Sequence, residues 1–369
     1  MPRERRYRGG PWIGLAIVLA AATAALAPLP ATAIETWFSN GIYPRLQPPL
    51  TGLSNVTPVA WLDVVSITAT VWVAWVWWRA FRADGTRRLP RIGRASSRTV
   101  VAAATVYLLF LVLWGFNYRR VPLPERLSIE HDAPSTDAVV ALGHEVAARL
   151  NGLYAPAHNS GFHEIPSRNA SLRAAFANVQ QQLGSSSPAL PGRLKRTLFG
   201  SFFRWTGVDG MINPFGLEVL ANPDLLPFER PFVAAHEWAH LAGYADESEA
   251  NFVGWLTSIH ADQASQYSGW LYLYWQIAGE VPAAGRQSIS AALTAGPRDD
   301  LAAIAARLRR GDLPALRRAS WMMYDRYLKA NRVEEGVRSY GAVVTLILRA
   351  RFEDGWRPVL EGHDRKPSP

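Results

Sequence analysis

His236-Glu237-Trp238-Ala239-His240 is an H-E-x-x-H segment. On a helix, positions i and i+4 lie one turn apart on one face, so two imidazoles so spaced can share one Zn²⁺. Glu237 then stands beside the metal, where its carboxylate can take a proton from a water. The chain contains only 8 histidines, and the motif is rare by chance in such a composition. The bland alternative is a core helix with two hydrogen-bonded histidines. Phe232, Val233, Ala235, Ala239 and Leu241 supply apolar surface, and Pro231 sits where a first helical turn tolerates proline.

A catalytic zinc needs a third protein ligand, and Asp246, Glu247 and Glu249 follow within reach. Gly243 is placed to end the first helix, and Asp246 is a good N-cap for a second. Glu249, three residues on, completes a D-x-x-E capping pattern. Glu247 and Glu249 are about 200° apart around a helix, so both cannot face the metal. If Glu249 folds back to cap, Glu247 is free to point at the histidines. Asn251, one turn beyond Glu247 on the same face, could then hydrogen-bond a ligand histidine.

Glu247, Ala250 and Asn251 read E-x-x-A-N, which is similar to the third-ligand helix of gluzincin metallopeptidases. The resemblance implies that Glu247 binds zinc and that Asn251 supports the site. The whole stretch from His236 to Phe252 resembles an uncharacterised bacterial family of multi-span membrane proteins with a zincin-like domain. Asn213–Glu218 and Ser339-Tyr340-Gly341 also resemble that family, which extends the likeness over most of residues 100–350. The gap from His240 to Glu247 is very short for a gluzincin, so the two helices must meet through a tight turn. That gap leaves a rival open. H-E-x-x-H-x-x-G-x-x-D, ending at Asp246, is similar to the metzincin pattern, which also requires a methionine turn. The only downstream methionines, Met322 and Met323, lie in a segment that reads as helix.

Three apolar stretches are long enough to cross a bilayer: about residues 12–29, 59–78 and 99–116. Arg3, Arg5, Arg6 and Arg8 precede the first, and Arg79, Arg82, Arg87, Arg88, Arg91, Arg94 and Arg98 lie between the second and third. Only Arg45 lies between the first and second. The positive-inside rule therefore predicts a multi-pass protein of the bacterial cytoplasmic membrane with everything after Phe116 extracytoplasmic. Much of the net charge of +9 belongs to these arginine segments and would face anionic lipid. No motif supports nucleic-acid binding. Ala31-Thr32-Ala33 resembles a signal-peptidase site, although an extended loop explains it as well. With no cysteine, thiolate ligands and disulfides are excluded.

The expected architecture is mainly α: three transmembrane helices in residues 1–116, then a helix-rich zincin-like α+β domain with a small sheet over 117–353. A polar tail, 354–369, is expected to be disordered. Helices are predicted over 137–154, 171–183, 264–278, 285–295, 299–310, 313–330 and 334–352. Strand signals lie at Leu198–Trp205 and Glu218–Ala221, and Leu217–Asn222 is the candidate for the strand that in zincins pairs with substrate backbone. His144 and His260 read as surface or structural histidines. Tyr244 or Tyr340 could stabilise an oxyanion, although packing explains both. Asp209 and Glu218 could line the site or belong to turn and strand surface.

Together these features predict a membrane-anchored zinc metallopeptidase, with ligands His236, His240 and Glu247 and general base Glu237. Its partners would be membrane lipid and peptide or protein substrates of the cell envelope; oligomeric state is not legible. The alternatives are a membrane sensor with a metallopeptidase-like domain and a non-catalytic zinc-binding module. A retained Glu237 argues against the latter.

Overall fold

The computed structural model describes residues 10–82, 88–130, 132–311, 313–330 and 342–361. An uninterrupted apolar run forms α1 (Gly10–Leu26). The chain then bends into α2 (Ala31–Ala33), a π-helical stretch over Ile34–Ile42, and α3 (Tyr43–Val56). Two longer helices follow, α4 (Trp61–Phe81) and α5 (Arg88–Leu113), packed against each other. These two are long and apolar enough to cross a membrane. Among the described residues a third span is counted when Trp12–Leu26 and Ala31–Val56, bent by 113° at the break between them, are taken together. The expected first apolar stretch, 12–29, is helical as α1 up to Leu26. The third differs, because α5 starts at Arg88, well before the apolar run at Thr99. Hydropathy registers only the apolar remainder of that helix.

The remaining chain is predominantly helical. α6 (Thr136–Ser160) and α7 (Ala170–Gln182) begin at Ser135 and Asn169, whose side chains accept from the third-residue N–H as N-caps should. A small sheet follows, built of β1 (Leu194–Lys195), β2 (Gly210–Asn213) and β3 (Glu218–Ala221), with α8 (Gly200–Thr206) between β1 and β2. β3 lies in the centre, parallel to β1 and antiparallel to β2. Leu198–Trp205 is thus largely helical, against the expected strand; a short apolar run of this kind suits either element.

The metal motif occupies α9 (Arg230–Leu241), followed by α10 (Glu247–Ile259) and α11 (Gln263–Glu280). Then come α12 (Ala283–Ala291), α13 (Ala295–Gly311), α14 (Pro314–Ala330) and α15 (Ala342–Arg349). The core closes around α9 and α10, with Trp238, Phe252 and Trp255 fully buried. The expected disordered tail is ordered at its start. β4 (Phe352–Glu353) pairs with β5 (Arg357–Pro358), and Trp356 between them packs 5.3 Å from Trp255 and 5.8 Å from Trp270, centroid to centroid. One aromatic anchor holds a segment that its polar composition alone would release.

Candidate metal centre

α9 and α10 meet through the tight turn that the spacing requires. Gly243 adopts φ +88°, a left-handed conformation that lets α9 stop. Asp246 caps α10, its carboxylate accepting from the N–H groups of Ser248 and Glu249. The turn lays α10 along α9. The ring nitrogens of His236 and His240 and a carboxylate oxygen of Glu247 then converge within 4.8 Å of one another. Glu247 Oε2 is 3.5 Å from His236 Nε2 and 3.6 Å from His240 Nε2. Ligands held about 2.0–2.1 Å from a tetrahedral ion stand about 3.3–3.4 Å apart, so one small cation fits between these three atoms.

The surroundings suit that purpose. His240 Nδ1 faces the Tyr244 carbonyl at 2.7 Å, a contact that turns Nε2 toward the cluster. The Tyr324 hydroxyl donates to Glu247 Oε1 from α14, 77 residues downstream. Burial opposes the charge of Glu247, but His240 and His236 outweigh it and hold its carboxyl well below the usual range. Burial likewise opposes a charge on His240, and Glu247 overrides it, raising the imidazole to about 9. Several buried polar atoms lack a hydrogen-bond partner: His236 Nδ1, Glu237 Oε2, Glu247 Oε2 and Asn251 Nδ2. Orphaned polar atoms so concentrated mark the place where a ligand would complete the site.

Glu237 is buried beside the three. Burial pushes its carboxyl up to about 7; His236 and His240 oppose the rise, and Glu247 and Asp209 add to it. It faces a cavity of about 410 Å³, whose lining includes His236, Asn251, Phe232, Tyr272 and Trp321. β2 crosses directly over it. A Cβ at Gly210 would lie 2.5 Å from Glu237 Oε1, so any larger residue there would have to displace the Glu237 carboxylate. The strand against Glu237 is therefore the edge strand β2, while the expected Leu217–Asn222 forms the central β3.

The other acids have different duties. Asp246 is a cap. Glu249, expected to close a capping box, instead accepts from the Leu123 backbone N–H. Asn251 faces the cavity, and its Nδ2 bonds to neither histidine. Asp209 lines the cavity 2.9 Å from Arg307, which also bonds Glu229 at 2.7 Å. Glu218 is fully buried on the far side of the sheet and joins it to α4. It accepts from Lys195 Nζ (2.9 Å), Asn213 Nδ2 (2.9 Å), Trp61 N (3.0 Å) and Leu62 N (2.8 Å). The Tyr244 side chain lies beneath Arg120, and Tyr340 falls outside the described residues. His260 is structural, its ring nitrogens placed against the carbonyls of Leu256 and Gly355.

Sequence reasoning missed Tyr324 and Tyr272. Tyr272 stacks on Phe232 at 3.6 Å between ring centroids. Burial foremost, and then the charge of Glu247, hold its phenol well above the usual value, against Gln276, so it stays a donor. Nothing in the local sequence distinguishes either tyrosine, since each reaches the site only through the packing of α11 and α14.

The C-terminal end of α9 is closed by residues that precede α4 or follow α5. Trp114 Nε1 donates to the His240 carbonyl at 2.8 Å, the Tyr43 hydroxyl to that of Leu241 at 2.8 Å, and Arg120 to that of Gly243 at 3.2 Å. The first two are carbonyls of the last turn of α9, which a helix end leaves without intrahelical partners, and the third belongs to the turn beyond it.

Residues 38–348 match a family model described as "Protein of unknown function (DUF3810)". No curated protein and no solved structure matches the chain.

Proposed function

We propose, from the premise that this chain belongs to the DUF3810 family, that it is a membrane-anchored zinc metallopeptidase of zincin type. In this reading His236, His240 and Glu247 hold the ion and Glu237 is the general base. The observation that carries it is the orphaned, buried Glu237 carboxylate, lodged between the three convergent donor atoms, the edge strand β2 and an open cavity. Imidazole and carboxylate donors in this number suit Zn²⁺.

A bound ion supplies Lewis acidity to a peptide carbonyl and acidifies a water. The rest falls to the protein. Glu237 takes a proton at its carboxylate and returns it to the leaving amine, a role suited to a carboxyl held near neutrality. Extended substrate backbone adds alongside β2. The Tyr272 phenol, protonated and facing the same cavity, donates to the developing oxyanion. Tyr324 fixes the Glu247 carboxylate. Envelope proteins and peptides are the substrate class that the inferred topology offers.

A sensor reading has one observation in its favour. Trp114 and Tyr43 join the spanning region to the last carbonyls of the metal helix, so a shift there reaches His240 directly. A non-catalytic zinc module gives no account of why Glu237 is left buried and unpartnered.

The test is elemental analysis with a turnover assay on full-length protein in detergent. About one zinc per chain is expected. Glu237→Gln should keep that metal and lose about 10²–10⁴-fold in hydrolysis of a quenched peptide library. Equal turnover by the two proteins refutes the assigned base. Silence of both toward generic peptides, with metal present, favours the sensor.

A further inference from the structure

Leu198, Phe199, Phe202 and Trp205, on and just before α8, are exposed by 73%, 39%, 37% and 42%. At 100° per residue they fall within an arc of about 120°, so they form one apolar stripe. A soluble surface rarely leaves such a stripe uncovered.

The position of the stripe is fixed by Asp63, in the first turn of α4. Its carboxylate accepts from Thr197 Oγ1 at 2.6 Å and from the Leu198 N–H at 3.0 Å. Asp63 lies two residues past the start of α4, a rise of roughly 3 Å. The exposed apolar run of α4 begins at once, with Val64, Val65 and Ile67 at 53%, 46% and 52%. The stripe of α8 is therefore level with the point where α4 turns apolar toward its surroundings. Exposed Arg196 precedes the stripe and places positive charge at the same level, while Arg204, on the other side of α8, pairs with Asp224 at 2.7 Å.

We propose that α8 lies in the headgroup–acyl boundary of the bilayer that α4 crosses, with this stripe seated in lipid and Arg196 among anionic headgroups. The seat brings the cleft with it. Gly207, Val208 and Asp209 follow α8 directly and line the cavity. The Leu313 N–H donates to the Trp205 carbonyl at 3.2 Å, so α14, which supplies Trp321 to the cavity wall and Tyr324 to Glu247, springs from the same point. The cleft opens beside the membrane surface, and its substrate is a polypeptide held at that surface. This last clause rests on the peptidase reading; the lipid seat does not.

Because the chain has no cysteine, one introduced thiol can be labelled uniquely. Full-length Phe202→Cys and Trp205→Cys, each carrying a polarity-sensitive fluorophore, are placed in nanodiscs containing anionic lipid, beside a Gln287→Cys control on α12. The seat predicts quenching by lipid-borne nitroxide and loss of iodide quenching at 202 and 205, with the reverse at 287. Iodide quenching at 202 and 205 equal to that at 287 overturns the seat. Shielding from both quenchers also overturns it, since protein would then cover the face. For the substrate clause, one peptide is supplied free and lipid-anchored at equal concentration. Faster loss of the anchored form is expected, and equal rates overturn the clause. Hydrolysis of neither counts against the peptidase reading, while the quenching result still decides the seat.

Discussion

Two buried glutamates lie on opposite sides of the same small sheet, and they could hardly be treated more differently. Glu218 receives five hydrogen bonds, from Lys195, Asn213, Ser54 and the first two N–H groups of α4. Burial would raise its carboxyl, but Lys195 first and the other donors after it bring the value below the ordinary one. Glu237 has an oxygen with no partner, and its carboxyl is pushed up. One acid is a rivet between sheet and helix. The other is left unsatisfied next to a cavity, and proteins tolerate such a group chiefly where function needs it.

The comparison breaks first at the histidines. His236→Ala and His240→Ala should each abolish stoichiometric metal while the protein stays folded in detergent, and Asp246→Asn should keep the metal. Full metal content in either histidine variant would remove the cleft from consideration. At the rivet the expected loss is of stability instead. Glu218→Ala strands Lys195, whose side chain is wholly buried, and should cost about 3–5 kcal/mol. Thermal unfolding under chelation reads it, against Glu237→Gln, which should melt no lower than wild type.

Smaller effects sharpen the contrast. Tyr324→Phe removes the donor that orients Glu247 and should weaken metal binding by about 10–100-fold, measured by chelator competition. Because the folded-state value of Glu218 is lowered, its stabilisation is fully present above the unfolded value of 4.5. That stabilisation is lost as pH falls through the lower folded value. Melting temperature should therefore decline in acid in wild type, and less so in Glu218→Gln; parallel declines would show that other groups dominate. The least change is expected for Trp114→Phe. It deletes one hydrogen bond to the His240 carbonyl and should destabilise by about 0.5–1.5 kcal/mol. A larger drop in metal affinity than in stability there would favour the sensor reading.

What could be read from the chain depended on distance along it. The turn at Gly243, the cap at Asp246 and the convergence of His236, His240 and Glu247 lie within a dozen residues, where helical periodicity and capping rules suffice. The use of Glu249 by Leu123, 126 residues away, follows from tertiary packing that no local rule contains. Tyr324 and Tyr272 escaped for the same reason. Leu198–Trp205 was ambiguous because a short apolar run suits strand and helix alike. Trp356 shows the opposite failure, in which polar neighbours concealed an anchor.

The caps on α9 also bear on how the protein is made. Its last carbonyls are received by Trp114 and Tyr43, which leave the ribosome 126 and 198 residues earlier. The segments before residue 120 can settle before the metal helix exists, and α9 ends its last turn against partners already waiting. Order of synthesis then sets a direction, with the earlier helical segments as template and α9 as the piece that closes onto them. A chain begun after those segments would have to finish that helix with water in their place.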